Sequence, residues 1–362
     1  MKICLICVEI FAWGNHGGFG RATRIIGREL VKRGHEVSAL VPRRAGQKSL
    51  ELLDGIKVYG FSPWWPFEAR SMLREIDADI FHSCEPSYTS YLAMQDFPDK
   101  KHVVTIRDPR NREDWKLEFE RPSLNKLQVI HNYWFENNPK VRRCIKDMDA
   151  VFTTAGYLVP KVRNMYALSR DPEFLPTPVK VPLHNRKAST PTVCYVARLD
   201  RRKRPELFLE LAAKFPDVNF VIMGKSRNRG YERQLQAADG QLTNLDMLGF
   251  VDQFKSDMHS KVLEKSWIFV NTAIREALPN SFIEATSHGC AILSAVNPDL
   301  FASEFGYHAA DDDFEVGLKY LLDNNNWRIH GEKAHRYTLE TFEINRAMDL
   351  HEEKYAMLLK RN

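Results

Sequence analysis

An α/β fold of two tandem domains, each built from parallel βαβ units, is predicted by three observations. Short β-rich apolar runs alternate with helical patterns along the whole chain, the signature of crossover connections rather than of a sandwich or a bundle. The alternation halts once, over Leu175 to Pro191, where four prolines and no helical period mark a junction, and then restarts. A length of 362 residues exceeds one ordinary domain and suits two, each able to bury a substantial core.

The elements follow in order. The N-terminal apolar run meets Glu9 and lacks a small-residue cleavage site, so Ile3 to Val8 reads as a first strand of a cytoplasmic chain and not as a leader. Further first-half strands are predicted at Glu36 to Val41, Ile56 to Phe61, Asp79 to His82, His102 to Ile106 and Ala150 to Thr153. A helix is expected from Phe19 to Arg33, with apolar Ile25, Ile26, Leu30 and Val31 and Gly34 as its C-terminal cap. After the junction come strands at Thr192 to Val196, Asn219 to Met223, Leu245 to Leu248, Trp267 to Asn271 and Ala291 to Ala295. Helices are expected from Pro205, near Tyr231 to Ala238, near Lys255 to Glu264 and from about Pro279. The domains are thus expected at 1–175 and 192–340, both Rossmann-like, with a linker at 176–191 and a helix at 341–362 returning toward the first domain.

Composition narrows the class. Charged residues make up 27% and hydrophobic ones 44%, and no run approaches the roughly 18 apolar residues of a spanning helix. A net charge of +5 is too weak and dispersed for nucleic acid, but suits anionic substrates or brief contact with an acidic membrane surface. The six cysteines, at 4, 7, 84, 144, 194 and 290, are scattered over strand-like segments, so neither a disulfide framework nor a redox C-x-x-C is expected.

Three segments carry candidate chemistry. The turn from Trp13 to Arg21 contains Gly17-Gly18 and opens a helix, where close backbone approach and the positive helix end favour an anion. The dinucleotide fingerprint fits poorly, because Thr23 holds the third glycine position. Pro42-Arg43-Arg44 ends the second strand in place of an acidic ribose ligand. Arginines there could hold a 2′-phosphate, so an NADP-dependent oxidoreductase stays open, as does a purely structural turn. In the second half, Arg198-Leu199-Asp200-Arg201-Arg202-Lys203-Arg204 places five cations in seven residues at the C-terminal edge of a parallel strand, where open α/β sheets bind ligands. Diphosphate chemistry is the functional reading and a solvated charge run the bland one. Finally, Glu276 falls in a loop and Glu284 on the helix after it, two carboxylates able to flank one ligand. Pro279, Asn280, Ser281 and Phe282 open that helix between them and offer it N–H donors.

Taken together these residues resemble the retaining GT-B glycosyltransferases of family 4. The likeness rests on Gly17-Gly18 before a helix ending Arg33-Gly34-His35-Glu36-Val37, on Arg198-Leu199 with Lys203, on Gly249-Phe250-Val251, and on the E-x7-E of Glu276 and Glu284; it covers essentially the whole chain. The resemblance implies a nucleotide-diphosphate sugar as co-substrate, with no cofactor; metal-binding Asp-x-Asp clusters are read as absent, so neutralisation of the diphosphate without a metal is expected. Arg198 and Lys203 would hold the diphosphate, Glu284 the ribose, and Gly249 and Phe250 would lie near the base. Glu276 would lie by the transferred sugar, and Gly17 and Gly18 by donor phosphate or acceptor. Many family members place a histidine where this chain has Arg107, which raises an anionic sugar or acceptor phosphate. The first domain would recognise the acceptor, a glycan, lipid-linked or small molecule. There Phe61 to Arg70 carries Trp64 and Trp65, which with Arg107 and His131 are candidates for the acceptor side, against the alternative that these rings are core. A hexosyltransferase acting by front-face attack with retention follows from the resemblance. A GT-B-like nucleotide-sugar epimerase and a non-catalytic nucleotide-sugar-binding protein are the rivals, beside the oxidoreductase.

Overall fold

The computed structural model describes residues 1–14, 16–123, 125–183, 185–240 and 242–360. Asn15 of the glycine turn and His184 of the proline-rich stretch lie outside the described residues. The chain divides into two compact units. One comprises Met1–Arg112, Ile130–Pro178 and the chain from Ile344 onward; the other comprises Glu113–Val129 and Val179–Glu343.

The first unit contains, in chain order, β1 (Lys2–Ile6), α1 (Gly18–Lys32), β2 (Glu36–Pro42), β3 (Leu50–Leu53), β4 (Ile56–Phe61), α2 (Ala69–Ile76), β5 (Ile80–Ser83), α3 (Tyr88–Asp96) and β6 (Lys101–Ile106). The chain then runs through α4 (Arg112–Glu120) and α5 (Lys126–Glu136) to α6 (Pro139–Lys146), β7 (Ala150–Thr153), α7 (Leu158–Tyr166) and β8 (Glu173–Phe174). The strands form one sheet in the order β3-β4-β2-β1-β5-β6-β7-β8. β1 is central, and Ile3, Cys4, Leu5 and Ile6 are all buried, which is why its sequence is an unbroken apolar run and not an alternation. α1 ends in a Schellman motif: Gly34 has φ 85°, its N–H donates to Val31 O at 3.0 Å, and His35 N–H donates to Leu30 O at 3.1 Å.

In the second unit β9 (Thr192–Val196), α8 (Pro205–Lys214), β10 (Asn219–Met223), α9 (Arg229–Asp239), β11 (Leu245–Met247), α10 (Met258–Lys265), β12 (Ile268–Asn271), α11 (Asn280–Ser287) and β13 (Ala291–Ser294) follow one another. They are followed by α12 (Phe301–Phe305), β14 (Gly306–His308), α13 (Phe314–Leu322) and α14 (Asn326–Thr341). Its strands are all parallel, in the order β11-β10-β9-β12-β13-β14. The last helix, α15 (Ile344–Lys360), belongs to the first unit, where Met348, Tyr355 and Leu358 share a core with Ile26 and Leu30 of α1.

Two features depart from the sequence reading. β3 and β4 form an antiparallel hairpin closed by Asp54 and Gly55, with φ of 51° and 85°, the two positive values of a type I′ turn; the Asp-Gly pair was a readable signal for it. The second departure is that residues 113–129, expected in the first domain, group with the second unit, because their polar side chains pair there, as described below.

The α15 contact carries two buried histidines. His82 Nδ1 lies 2.6 Å from Tyr355 Oη and its Nε2 2.7 Å from Thr105 Oγ1, while His351 Nε2 lies 3.1 Å from Pro176 O. Burial, followed by the charge of Arg107, pushes His351 down to about 4; burial, then His351 and Arg107, holds His82 well below the usual histidine range. Both folded values are depressed, so the unfolded chain binds more protons once pH drops below the ordinary histidine value near 6.5. Stability should therefore fall as pH is lowered from about 6.5 toward 4. A urea midpoint at pH 5 equal to that at pH 7 would contradict this.

Candidate active site

The cationic loop leaves the C-terminal end of β9, and its shape is set by Asp200. That buried carboxylate accepts the N–H groups of Arg202 at 3.1 Å and Lys203 at 3.3 Å on Oδ1. Two hydroxyls hold the carbonyl of Lys203, Tyr195 Oη at 2.8 Å and Thr272 Oγ1 at 2.6 Å. Thr272 begins the loop leaving β12, and Ile274 N–H donates to Arg202 O at 3.0 Å, so the two loops are stitched together through backbone and side chain. At their meeting Lys203 Nζ forms an ion pair with Glu276 Oε1, both side chains 17% exposed.

The five cations then separate by environment. Arg204 makes a bidentate pair with Asp312, at 2.5 and 2.7 Å, and donates from Nε to Thr272 O. Arg201 lies over the ring of Tyr231, and Arg202 pairs with Glu118. For these three the bland reading is the better one, since each has a place in the framework of the loop. Arg198 is exposed, its Nη2 3.6 Å from Asp200 Oδ2, and it follows the C-terminal end of β9, the edge at which open α/β sheets bind ligands.

Glu284 sits buried on α11, with His259 Nε2 of α10 3.4 Å from its Oε2. The opening of α11 corrects the sequence reading in detail. Pro279 has no N–H, and Phe282 N–H donates back to Pro279 O at 3.0 Å, so neither supplies the N–H donor expected of it. The Phe282 ring is fully buried against Phe269 and Phe301 and belongs to the core. Gly249 has φ 66°, a conformation that favours glycine, and its neighbour Phe250 is exposed.

Gly17, Gly18, Trp64, Trp65, Arg107 and His131 all belong to the first unit. A Cβ on Gly17 would lie 1.9 Å from Glu9 Oε1, and the same oxygen accepts Gly20 N–H at 3.0 Å; the start of α1, read as an anion site, thus carries the chain's own carboxylate. Arg107 is 5% exposed. Its Nη1 donates to Thr177 Oγ1 at 2.7 Å and its N–H to Glu85 Oε1 at 2.9 Å, while burial pushes the Glu85 carboxyl well above the usual range. Trp64 is 87% exposed and Trp65 63%, so these indoles are not core; His131 packs its ring against Phe135 on the solvent side of α5.

Residues 181–337 match the family described as "Glycosyl transferases group 1", and residues 16–181 match "Glycosyltransferase Family 4". The two matches share residue 181 and together run from 16 to 337. The chain is a GT-B glycosyltransferase of family 4. The glycosyltransferase is 29% identical over 322 residues to a human phosphatidylinositol N-acetylglucosaminyltransferase subunit, covering 81% of this chain and 61% of that protein, so it spans less than two thirds of that relative's length. Its fold matches sucrose-phosphate synthase from Thermosynechococcus elongatus with a TM-score of 0.75 at 14% identity, over 99% of both chains. It also matches Anabaena Alr3699/HepE, solved with UDP and glucose, with a TM-score of 0.72 at 11% identity, over 98% of this chain and 99% of that one.

Sequence reasoning missed three supports of the candidate site: Asp200 as the organiser of its loop, Thr272 as the anchor of Lys203, and His259 beside Glu284. Asp200 alone carried a local signal, an Asp two and three residues before the N–H groups it binds. The reading that Asp-x-Asp motifs are absent is corrected by the chain itself, which contains such triplets at 77–79, 147–149 and 311–313, although several of their carboxylates serve local structure. Asp79 Oδ2 accepts Lys2 N–H at 2.8 Å, Asp149 Oδ2 accepts His102 N–H at 2.8 Å, and Asp312 and Asp313 bind Arg204 and Tyr307. Among the described residues no group of three or more His, Cys, Asp and Glu side chains could hold a metal ion, and no helix is long and apolar enough to cross a membrane.

Proposed function

We propose that this glycosyltransferase moves a sugar from a nucleoside-diphosphate sugar to an acceptor hydroxyl with retention of configuration, the leaving diphosphate being neutralised by Arg198, Lys203 and backbone donors without a metal ion. The observation that carries this reading is the Lys203–Glu276 ion pair at the junction of two ligand-facing loops. A lysine held within reach of a carboxylate is a cation that a diphosphate can recruit, leaving Glu276 beside the transferred sugar, and preorganised charge of this kind is commonly the largest single catalytic contribution. Glu284 is read as the ribose ligand, and Phe250 as the residue against the base. The test is incubation with UDP-N-acetylglucosamine, UDP-glucose, ADP-glucose and GDP-mannose, reading nucleotide release, and then the anomeric configuration of the product by proton NMR. No release from any of the four, or an inverted product, would reject the proposal.

The acceptor is read as lipid-linked, with peripheral contact to an anionic membrane. The human relative's name specifies phosphatidylinositol, and the exposed indoles of Trp64 and Trp65 suit a membrane interface. Phe67 lies next to Trp65, Tyr88 next to Phe67, Tyr91 next to Tyr88, and Lys140 lies over Tyr91, so aromatics and a cation form one continuous strip. Trp64→Ala with Trp65→Ala should leave thermal stability within about 0.5 kcal/mol per substitution, as for exposed positions. Sedimentation with phosphatidylinositol-containing vesicles should drop. Unchanged vesicle binding would remove the strip from the membrane reading.

A further inference from the structure

Asp114 and Glu118 lie one turn apart on the same face of α4, the i and i+4 spacing, and take arginines from the two ligand-facing loops of the second unit. Arg275 Nε donates to Asp114 Oδ1 at 2.6 Å. Arg202 pairs with Glu118 and donates to Ser123 Oγ, and Ser123 Oγ in turn lies 3.4 Å from Asp200 Oδ2. The four charged side chains are only 12–18% exposed. Each arginine is the chain neighbour of a proposed donor-site residue: Arg202 precedes Lys203 and Arg275 precedes Glu276.

We propose that Asp114 and Glu118 are positioning residues, a two-carboxylate clamp by which α4 holds the β9 and β12 loops in the register that brings Lys203 onto the donor diphosphate and Glu276 beside the transferred sugar. The inference rests on the donor-site reading of that pair. Its physical basis is that a loop bearing five cations repels itself, and fixed counter-charges on a rigid helix face hold such a loop in one geometry. Two residues of 113–129, Glu118 and Ser123, make three contacts with the β9 loop through Arg202 and Asp200, and Asp114 makes one with the β12 loop through Arg275. The backbone bond from Ile274 to Arg202 closes the circuit between the loops.

The test compares Asp114→Asn and Glu118→Gln, which keep shape and remove charge, with Asp114→Glu and Glu118→Asp, which keep charge. Lys203→Ala serves as the control for the donor site, and all are assayed for release from the four nucleotide sugars above and for melting temperature. The neutral variants should lose about tenfold to a hundredfold in kcat, the scale of a misplacement near 1 Å, with donor KM raised as well because Lys203 moves with its loop. The charge-keeping variants should recover most of that loss. Wild-type kcat in the neutral variants while Lys203→Ala is inactive would overturn the clamp and leave the donor site standing. So would charge-keeping variants as damaged as the neutral ones with a matching fall in melting temperature, since that is the behaviour of a merely structural contact. If Lys203→Ala retains full activity, the donor-site reading itself falls.

Discussion

Lys203→Ala is expected to weaken nucleoside-diphosphate binding on the order of a hundredfold, the largest single-site effect on ligand affinity in the chain. A charge-assisted contact contributes about 1.5–3 kcal/mol, and each 1.4 kcal/mol is about tenfold in affinity. A second effect adds to this. With the ammonium gone, the partly buried Glu276 carboxylate loses that counter-charge close to the place proposed for the diphosphate, so the variant loses an attraction and gains a repulsion. Adding Glu276→Gln to Lys203→Ala should therefore restore part of the affinity, a non-additivity expected of residues in direct contact. Titration calorimetry with UDP and ADP measures both variants. Equal affinity for wild type and Lys203→Ala would remove the lysine from the site, and a double variant weaker than the product of the two singles would show that the carboxylate helps binding instead of opposing it.

The parts of this architecture that were legible in the sequence are those encoded over short distances. β1 is buried on both faces and reads as one apolar run; Gly34 closes α1 because only a residue at ease with positive φ fits there; the β9 loop advertises itself by charge. Charge alone could not sort that loop, since the sequence shows five equivalent cations and the structure gives three of them framework partners far away in the chain, Glu118, Tyr231 and Asp312. Arg107 poses the same problem. Its place after β6 is local information, but its side chain is held by Thr177, which is remote in sequence. Phe282 shows the converse problem, a residue at a helix start whose N–H position is functional in principle while its ring is claimed by the core. The grouping of residues 113–129 with the second unit is the least legible feature, because it depends on ion pairs spanning 84 and 161 positions.

Tyr355→Ala is expected to give the largest loss of stability in the first unit. The ring is fully buried in the core that α15 shares with α1 and the sheet, and truncating a buried aromatic to alanine costs about 3–5 kcal/mol through lost transfer energy and the cavity left behind. The hydroxyl adds a polar part to this. It lies 2.6 Å from His82 Nδ1, and removing it alone, in Tyr355→Phe, strands a fully buried ring nitrogen, a penalty of about 1–3 kcal/mol. The other ties of α15, Arg33 to Asp349 at 2.6 Å and His35 to Glu352 at 2.6 Å, are more exposed and hold less strongly, so they cannot substitute for the buried ring. Urea unfolding followed by far-ultraviolet circular dichroism should thus rank wild type above Tyr355→Phe above Tyr355→Ala. An alanine variant with the wild-type midpoint would mean that α15 does not support the first unit's core, and a phenylalanine variant as unstable as the alanine one would place the whole contribution in the hydroxyl and its histidine.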